Sequence, residues 1–122
     1  MTITLNHLIV PARDKVKSAK FFAKIFGLRF RGAKDYFAPV RVSKTLTMLF
    51  DTHKTFDVHH YAFHVTDKEF DAIFRRVKKA RLAYGSAPWS MEDGELNDWG
   101  GGRGVYFKDL DGHVLELMTV PQ

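Results

Sequence analysis

The segment GVYFKDLDGHVLEL, residues 104–117, carries the strongest structural signal in the chain. Two apolar runs, Val105–Lys108 and Val114–Thr119, predict two β-strands, and residues 109–112 between them end in Asp-Gly. An Asp-Gly pair between apolar strands is a strong signal for a β-hairpin. The end of the chain is therefore predicted to form two neighbouring antiparallel strands.

Glu116 lies within the second of these apolar runs, between Leu115 and Leu117. A carboxylate that is buried in a central strand without a partner costs several kcal/mol. A buried Glu116 must therefore contact water, a cation or a metal ion. Alternation along the strand also allows this side chain to face solvent, with Leu115 and Leu117 on the other face.

The first third of the chain recurs about fifty residues later, and this repeat extends the prediction to the whole sequence. The matching pairs are His7/His60, Asp14/Asp67, Lys15/Lys68, Ala19/Ala72, Phe21/Phe74 and Gly32/Gly85. A repeat of this period indicates two copies of one supersecondary unit, neither of which buries its apolar face alone. It also gives each copy a histidine at an equivalent point.

Both copies have the same predicted order of elements. The first has a strand at 3–10, a helix at 16–26, a short strand at 28–31 and a hairpin formed by 36–42 and 45–50. The second has a strand at 60–65, a helix at 67–80 with Asp67 as N-cap, and strands at 82–84, 105–108 and 114–119. This order predicts one mixed α and β domain over 1–122, with two modules, about 1–52 and 58–120, whose sheets curve around a shared space.

The composition is that of an ordinary soluble globular domain, with 122 residues, 45% hydrophobic and 27% charged. It contains no cysteine, which excludes disulfides and thiolate metal sites. The N-terminus does not resemble a signal peptide and no apolar run could cross a bilayer, so we expect a cytoplasmic protein without a membrane partner.

The net charge of +5 does not by itself indicate nucleic-acid binding. The basic residues are spread along the polar faces of the predicted helices, over 15–24 and 75–81. No nucleic-acid recognition motif accompanies them. An attraction for small anionic substrates explains the charge equally well, and we expect no nucleic-acid partner.

Three residues on the predicted strands are candidate metal ligands: His7, His60 and Glu116. Two imidazoles and one carboxylate suit Fe, Mn, Zn or Ni as a divalent ion and leave open positions for substrate or oxygen. His59 replaces His60 in this set if the predicted register is wrong by one residue. His64 lies on the same face as His60 and is a candidate catalytic acid or base, or else a surface residue near the strand end.

Three segments together resemble the vicinal oxygen chelate superfamily of glyoxalases, bleomycin-resistance proteins and extradiol dioxygenases: HLIV at 7–10, HYAFHV at 60–65, and 104–117. The resemblance implies an α+β fold of two βαβββ modules that form an open, barrel-like cavity, often in a homodimer. It also implies one divalent metal ion held by His7, His60 and Glu116, which chelates adjacent oxygens of a small substrate.

The sequence departs from the lactoylglutathione lyases of that family, which usually have a second glutamate on the last strand of the first module. Here that strand is TLTMLF at 45–50, with Met48 at or near the matching position. This argues against glyoxalase I activity. Three ligands resemble instead the extradiol dioxygenases and the fosfomycin-resistance enzymes, although Gly104 stands where some of the latter have a hydroxyl residue, near Tyr106.

The resemblance leaves dioxygenase, lyase or isomerase, and thiol-transfer chemistry open. An alternative from a different class is a metal-free protein of the bleomycin-resistance type, which sequesters a ligand without turnover. Retention of all three ligand types favours the metal-dependent enzyme.

Four further residues are candidates for the substrate pocket. Tyr106 could offer a catalytic hydroxyl to the metal-bound oxygens, or serve only in aromatic packing. Arg103 follows a glycine run and could bind an anionic group of the substrate. Trp89 and Trp99 belong to the long irregular segment 85–104 and could form the walls of an apolar pocket or merely anchor that segment.

Overall fold

The computed structural model describes residues 2–122, and the chain divides into Met1–Asp57 and Val58–Gln122. We call these unit 1 and unit 2. Each contains one α-helix and one sheet in which the first and last strands are parallel neighbours. No helix within residues 2–122 is long and apolar enough to cross a membrane.

Unit 1 contains β1 (His7–Ala12), α1 (Lys15–Phe26), β2 (Ala38–Arg41) and β3 (Thr47–Thr52), with the strand order β1-β3-β2. The first strand begins later than predicted and continues through Pro11. Proline is tolerated there because β1 is an edge strand, where a missing N–H does not interrupt a central ladder. The strand predicted at 28–31 is reduced to a single antiparallel bridge between Phe30 and Val40.

The helix α1 has clear sequence signals at both ends. The Asp14 carboxylate accepts hydrogen bonds from the backbone N–H groups of Val16 and Lys17, which have no partner within the helix. Gly27 ends the helix in the left-handed conformation, with φ 70°, and donates its N–H to the carbonyl of Ala23. The helix boundaries are therefore set by local chemistry as well as by packing.

The two faces of the unit 1 sheet differ in their surroundings. One face is buried and packs against α1, where the rings of Phe22 and Phe50 lie 5.8 Å apart. This buried face consists of Ala38, Val40, Met48 and Phe50. Because strand side chains alternate, His7, Arg41 and Thr47 lie on the opposite face, where they are partners in adjacent strands.

Unit 2 contains β4 (His60–His64), α2 (Asp67–Lys79), β5 (Tyr84–Gly85), a short 3-10 turn (Trp99–Gly101), β6 (Gly104–Lys108) and β7 (Val114–Met118). Its strand order is β4-β7-β6-β5. This is the predicted βαβββ order, and the predicted hairpin at the end of the chain is formed by β6 and β7.

The N-cap of α2 is Thr66, and the prediction of Asp67 was wrong by one residue. The Thr66 hydroxyl accepts from the backbone N–H of Glu69, while the Glu69 carboxylate accepts from the Thr66 N–H. This reciprocal capping box satisfies two N–H groups, which a cap at Asp67 would not do.

The repeat detected in the sequence is also a repeat of topology. His7 and His60 are each the first residue of the first strand in their unit. β1, β3 and β2 correspond to β4, β7 and β6, and the Phe30 bridge lies where unit 2 has β5. The predicted α+β fold with two related modules is therefore confirmed.

Candidate functional site

Glu116 is buried in the middle of β7, with 4% of its surface exposed. Its strand partners are Ala62 in β4 and Tyr106 in β6. The Nε2 atom of His60 lies 2.9 Å from Glu116 Oε1, and the hydroxyl of Tyr106 donates a hydrogen bond to the same carboxylate. The burial excludes the solvent-facing alternative for Glu116 and gives the carboxylate two polar partners in unit 2.

Tyr106 is a permanently protonated partner of this carboxylate near neutral pH. Only 3% of the residue is exposed. Burial raises the pKa of Tyr106 well above its usual value, and the hydrogen bond to Glu116 and the charge of Glu116 raise it further. Tyr106 therefore acts as a hydrogen-bond donor that orients Glu116.

His60, and not His59, is the histidine that contacts Glu116. The ring of His59 packs near those of Tyr61 and His113, with centroids 6.1 and 5.7 Å away. Its backbone N–H donates to Nδ1 of His113, which is fully buried. Burial and the nearby charge of Asp109 raise the pKa of Tyr61 to about 12. The two adjacent histidines thus have different surroundings.

His7 occupies the corresponding position in unit 1. Its Nδ1 lies 2.8 Å from the side-chain oxygen of Asn6, which can only accept, so Nδ1 is the donor and the lone pair of a neutral ring is on Nε2. Metal-binding histidines usually donate their other ring nitrogen to an oxygen in this way. Asn6 was not predicted as a site residue, although its position directly before His7 in the sequence indicates a neighbouring side chain.

The structure brings two of the three predicted metal ligands into contact, His60 and Glu116. Within residues 2–122 no group of three histidine, cysteine, aspartate or glutamate side chains is arranged to hold a metal ion. The donor chemistry nevertheless fits a divalent ion, because a buried carboxylate already lies against an imidazole nitrogen and a supporting hydroxyl. Unit 1 contains a histidine at the corresponding position, His7.

The counterpart of Glu116 in unit 1 is Leu49, which directly follows Met48, the residue predicted to lie at or near this position. Leu49 pairs with Ile9, two residues after His7, as Glu116 pairs with Ala62, two residues after His60. Met48 points to the buried face of its sheet and is 1% exposed. The position in unit 1 that corresponds to Glu116 is therefore occupied by leucine and not by a second glutamate.

A row of aromatic rings extends from the His60–Glu116 pair to the surface of unit 2. The Tyr106 ring lies 5.8 Å from His60 and 6.0 Å from Trp99, and Trp99 lies 6.3 Å from Trp89. Trp89 is 81% exposed. Both predicted pocket tryptophans are therefore linked to the candidate site through Tyr106.

The irregular segment that carries these tryptophans is held by hydrogen bonds within itself. The Ser86 hydroxyl donates to Asp93, and this bond is the main cause of the lowered pKa of Asp93. The Asn97 amide donates to the Ser86 carbonyl at 2.9 Å. A Cβ atom on Gly104 would lie 2.5 Å from Asn97 Oδ1, so a side chain at position 104 would require the Asn97 side chain to move.

Two other predicted site residues have different surroundings. Arg103 forms ion pairs with Asp71 at 2.7 Å and Asp67 at 3.0 Å, and its guanidinium lies over the Phe70 ring. The hydrogen bond to Asp71 is the main cause of its raised pKa. Arg103, directly before β6, thus connects that end of the strand to α2. His64 is exposed at the end of β4, with Nε2 3.2 Å from the Thr119 carbonyl oxygen.

Almost the whole chain is similar to known proteins. The family model of the Glyoxalase/Bleomycin resistance protein/Dioxygenase superfamily matches residues 4–117. The solved structure of Oxidase ChaP-H2 superposes with a TM-score of 0.93 and 41% identity, covering 99% of this chain and 96% of that one. Oxidase ChaP-H1 gives a TM-score of 0.92 and 40% identity, with 98% of each chain covered.

The chain is also similar to a protein that is named as a transferase and not as an oxidase. Glutathione transferase FosA from Serratia marcescens is 29% identical over 124 residues, which cover 96% of this chain and 81% of that protein. The oxidase structures therefore have the higher identity.

Proposed function

The chain belongs to the Glyoxalase/Bleomycin resistance protein/Dioxygenase superfamily, and from that premise we propose that it is a metal-dependent oxidase. Its substrate is a small molecule that chelates the metal through adjacent oxygens. The observation that carries the oxidative assignment is the similarity to two oxidases along almost the whole chain.

The proposed metal ligands are His7, His60 and Glu116. Nε2 of His7 has an available lone pair, and His60 and Glu116 are already in contact. When bound, the ion would polarise the adjacent oxygens of the substrate and stabilise negative charge on them. Oxidation favours Fe or Mn over Zn, because Zn has no redox chemistry.

The protein's own contribution is to fix these ligands. Tyr106 holds the Glu116 carboxylate through its protonated hydroxyl, and Asn6 fixes the tautomer of His7. Trp99 packs against Tyr106 and, with Trp89, offers an apolar wall for the substrate. His64 is a candidate proton carrier on the same face of β4 as His60.

Thiol transfer is the second candidate function, supported by the similarity to FosA. Glycine at position 104 weighs against it, since some fosfomycin-resistance enzymes have a hydroxyl residue there, and such a residue would displace the Asn97 side chain here. The oxidase therefore remains the leading proposal.

Metal binding provides the first test. The purified protein, stripped with a chelator, is titrated with Fe(II) and Mn(II) under anaerobic conditions and analysed by calorimetry and elemental analysis. We expect one ion per chain and a loss of affinity of at least 100-fold in His60→Gln and in His7→Gln. The matched controls are His59→Gln and His53→Gln, which should bind as the wild type does.

Oxygen uptake provides the second test. The Fe(II)-loaded protein is supplied with catechol, as a probe with vicinal oxygens, in an oxygen electrode. Parallel samples receive glutathione and fosfomycin. Oxygen uptake above that of His60→Gln supports the oxidase. Loss of glutathione with fosfomycin, without oxygen uptake, identifies thiol transfer instead. If the protein binds neither Fe(II) nor Mn(II), the metalloenzyme proposal fails and the metal-free alternative is favoured.

A further inference from the structure

We propose that unit 1 contains an anion-binding subsite formed by Arg29, Arg31 and Arg41, which takes a carboxylate, phosphate or sulfate group of a small molecule. The proposal that this molecule is the substrate rests on the proposed function. The anion site itself does not, because it is built entirely from residues of unit 1.

Strand pairing brings the three arginines together. Phe30 pairs with Val40 in an antiparallel bridge, which places Arg29 opposite Arg41 and Arg31 opposite Pro39. A cavity of about 230 Å³ is lined by Arg29, Arg31, Pro39, Arg41 and Thr47. Its lining therefore contains three positive charges and no negative one.

This arrangement is unfavourable in the absence of an anion. Like charges directly opposite each other on adjacent strands destabilise a sheet. Arg29 and Arg31 are exposed, and within residues 2–122 their side chains have no hydrogen-bond or ion-pair partner. A bound oxyanion would relieve this repulsion and accept hydrogen bonds from several guanidinium groups.

Arg41 is held in place for such a role. Its Nε donates to the Ser43 carbonyl at 2.9 Å, and its Nη2 donates to the Lys44 carbonyl at 2.7 Å. A guanidinium has five N–H donors, so three remain for a ligand. The turn between β2 and β3 thus orients Arg41 without neutralising it.

Unit 2 provides an internal comparison. Lys108 corresponds to Arg41, because each is the strand partner of the residue that pairs with the first histidine. A hollow of about 170 Å³ at that place is lined by Leu82, Ala83, Met91, Glu92 and Lys108. It contains one cation and one anion. The fold therefore supplies a hollow in both units, and only the unit 1 sequence makes it strongly cationic.

The position of the subsite connects it with His7. Arg41, Thr47 and His7 are partners across three adjacent strands and lie on one face of the sheet. Adjacent strands are about 4.8 Å apart, so the backbones of Arg41 and His7 are about 10 Å apart. A small molecule could place its anionic group at the arginines and its chelating oxygens toward His7.

The experiment uses metal-free protein at low ionic strength, with inorganic phosphate and acetate as separate probes. Binding is followed by calorimetry and by the arginine Nε–H signals in NMR spectra. We expect one saturable site per chain and a loss of affinity of at least tenfold in the double variant Arg29→Gln/Arg31→Gln. Tighter binding of phosphate or of acetate distinguishes a tetrahedral from a planar anionic group.

Two controls separate a specific site from general attraction. Lys20→Gln/Lys24→Gln removes the same charge from exposed positions of α1 and should weaken binding less than twofold, as should Lys108→Gln in unit 2. The arginine variant should also melt at a higher temperature than the wild type in the absence of anions, which verifies that it folds.

Three results would overturn the proposal: no saturable binding, equal losses in the arginine and lysine double variants, or binding of a short DNA duplex that depends on the arginines and exceeds that of phosphate. The proposed function is tested separately, since Arg29→Gln/Arg31→Gln should retain full metal affinity. Metal binding without anion binding refutes only the subsite, and anion binding without metal binding refutes only the metalloenzyme.

Discussion

Unit 1 and unit 2 share one topology but place different chemistry on the same strand positions. Both begin with a histidine, His7 or His60. In the row two residues further along, unit 2 has Glu116 beside Tyr106, whereas unit 1 has Leu49 beside Pro39. The comparison teaches that the repeated fold fixes where a side chain lies, while single residues decide whether the position can bind a cation.

The helix ends of the two units differ in a similar way. In unit 1 the residue after the helix is Gly27, in the left-handed conformation that glycine adopts easily. In unit 2 the residue after the helix is Ala80, which has an ordinary φ, and the following Arg81 has φ 58°. The same turn is therefore made once with a favourable residue and once with a strained one.

The largest expected effect comes from replacing Glu116 of unit 2 by leucine, the residue at the equivalent position of unit 1. We expect Glu116→Leu to weaken binding of Fe(II) or Mn(II) at least 100-fold, about 2.8 kcal/mol, because one ligand is lost. Its free energy of unfolding should fall by about 1–3 kcal/mol, because the buried Tyr106 hydroxyl loses the carboxylate to which it donates. Calorimetric titration and urea unfolding measure the two effects.

The control for Glu116→Leu is Leu49→Met, which changes the equivalent position conservatively and should leave metal affinity unchanged. Metal affinity in Glu116→Leu equal to that of the wild type would remove Glu116 from the ligand set.

A smaller effect is expected at the helix ends. Gly27→Ala should lower the free energy of unfolding by about 1 kcal/mol, because an L-residue is strained in the left-handed conformation. Arg81→Gly should raise it by roughly 0.5–1 kcal/mol, since relief of that strain exceeds the entropy cost of glycine. Urea unfolding at neutral pH measures both, with Arg81→Lys as the control that retains the strain. Destabilisation by Arg81→Gly would contradict the prediction.

The smallest effect concerns the turns between the last two strands of each unit. In unit 2 the Asp109 carboxylate accepts from the N–H groups of Asp111 and His113, whereas in unit 1 the Ser43 hydroxyl accepts from those of Thr45 and Leu46. Burial is the main cause of the raised pKa of Asp109. The folded protein therefore holds this proton more tightly than the unfolded chain does.

The pH dependence follows from that difference. The contribution of Asp109 to stability is present below its unfolded pKa, near 3.9, and is lost as the pH rises through the folded value. Asp109→Asn keeps the acceptor oxygen but does not titrate, so its free energy of unfolding should fall less than that of the wild type from pH 4 upward. Ser43→Ala should retain the wild-type slope. Parallel slopes for Asp109→Asn and wild type would contradict the assignment.

The fold could be predicted from the sequence because the residue patterns that indicate it are local and occur twice. The repeat that matches His7 with His60 located the first strand in each unit, although not the start of β1, and the Asp-Gly turn located the final hairpin. The cap of α2 was misplaced because Thr66 and Asp67 are both good capping residues, and the reciprocal bond with Glu69 distinguishes them only in three dimensions. The strand predicted at 28–31 is only a single bridge in the structure, and the pattern of apolar residues does not indicate how many residues pair.

The candidate site could be predicted from the sequence only in part. Burial of Glu116 could be anticipated from its apolar neighbours, but its bond with Tyr106 depends on the register of β6 and β7. The contacts of Trp89 and Trp99 depend on an irregular segment held by side-chain hydrogen bonds, which has no periodicity. The ion pairs of Arg103 with α2 join residues more than thirty positions apart, and nothing near Arg103 in the sequence indicates them.

The contact between Gly104 and Asn97 has a consequence for evolution and engineering. A serine introduced at position 104 meets the Asn97 side chain, whose amide also bonds to Ser86. A side chain at position 104 therefore requires the Asn97 side chain to move, and a smaller residue at position 97 removes this requirement. A laboratory route from this protein to a site with a hydroxyl at position 104 thus begins at Asn97, seven residues earlier in the chain.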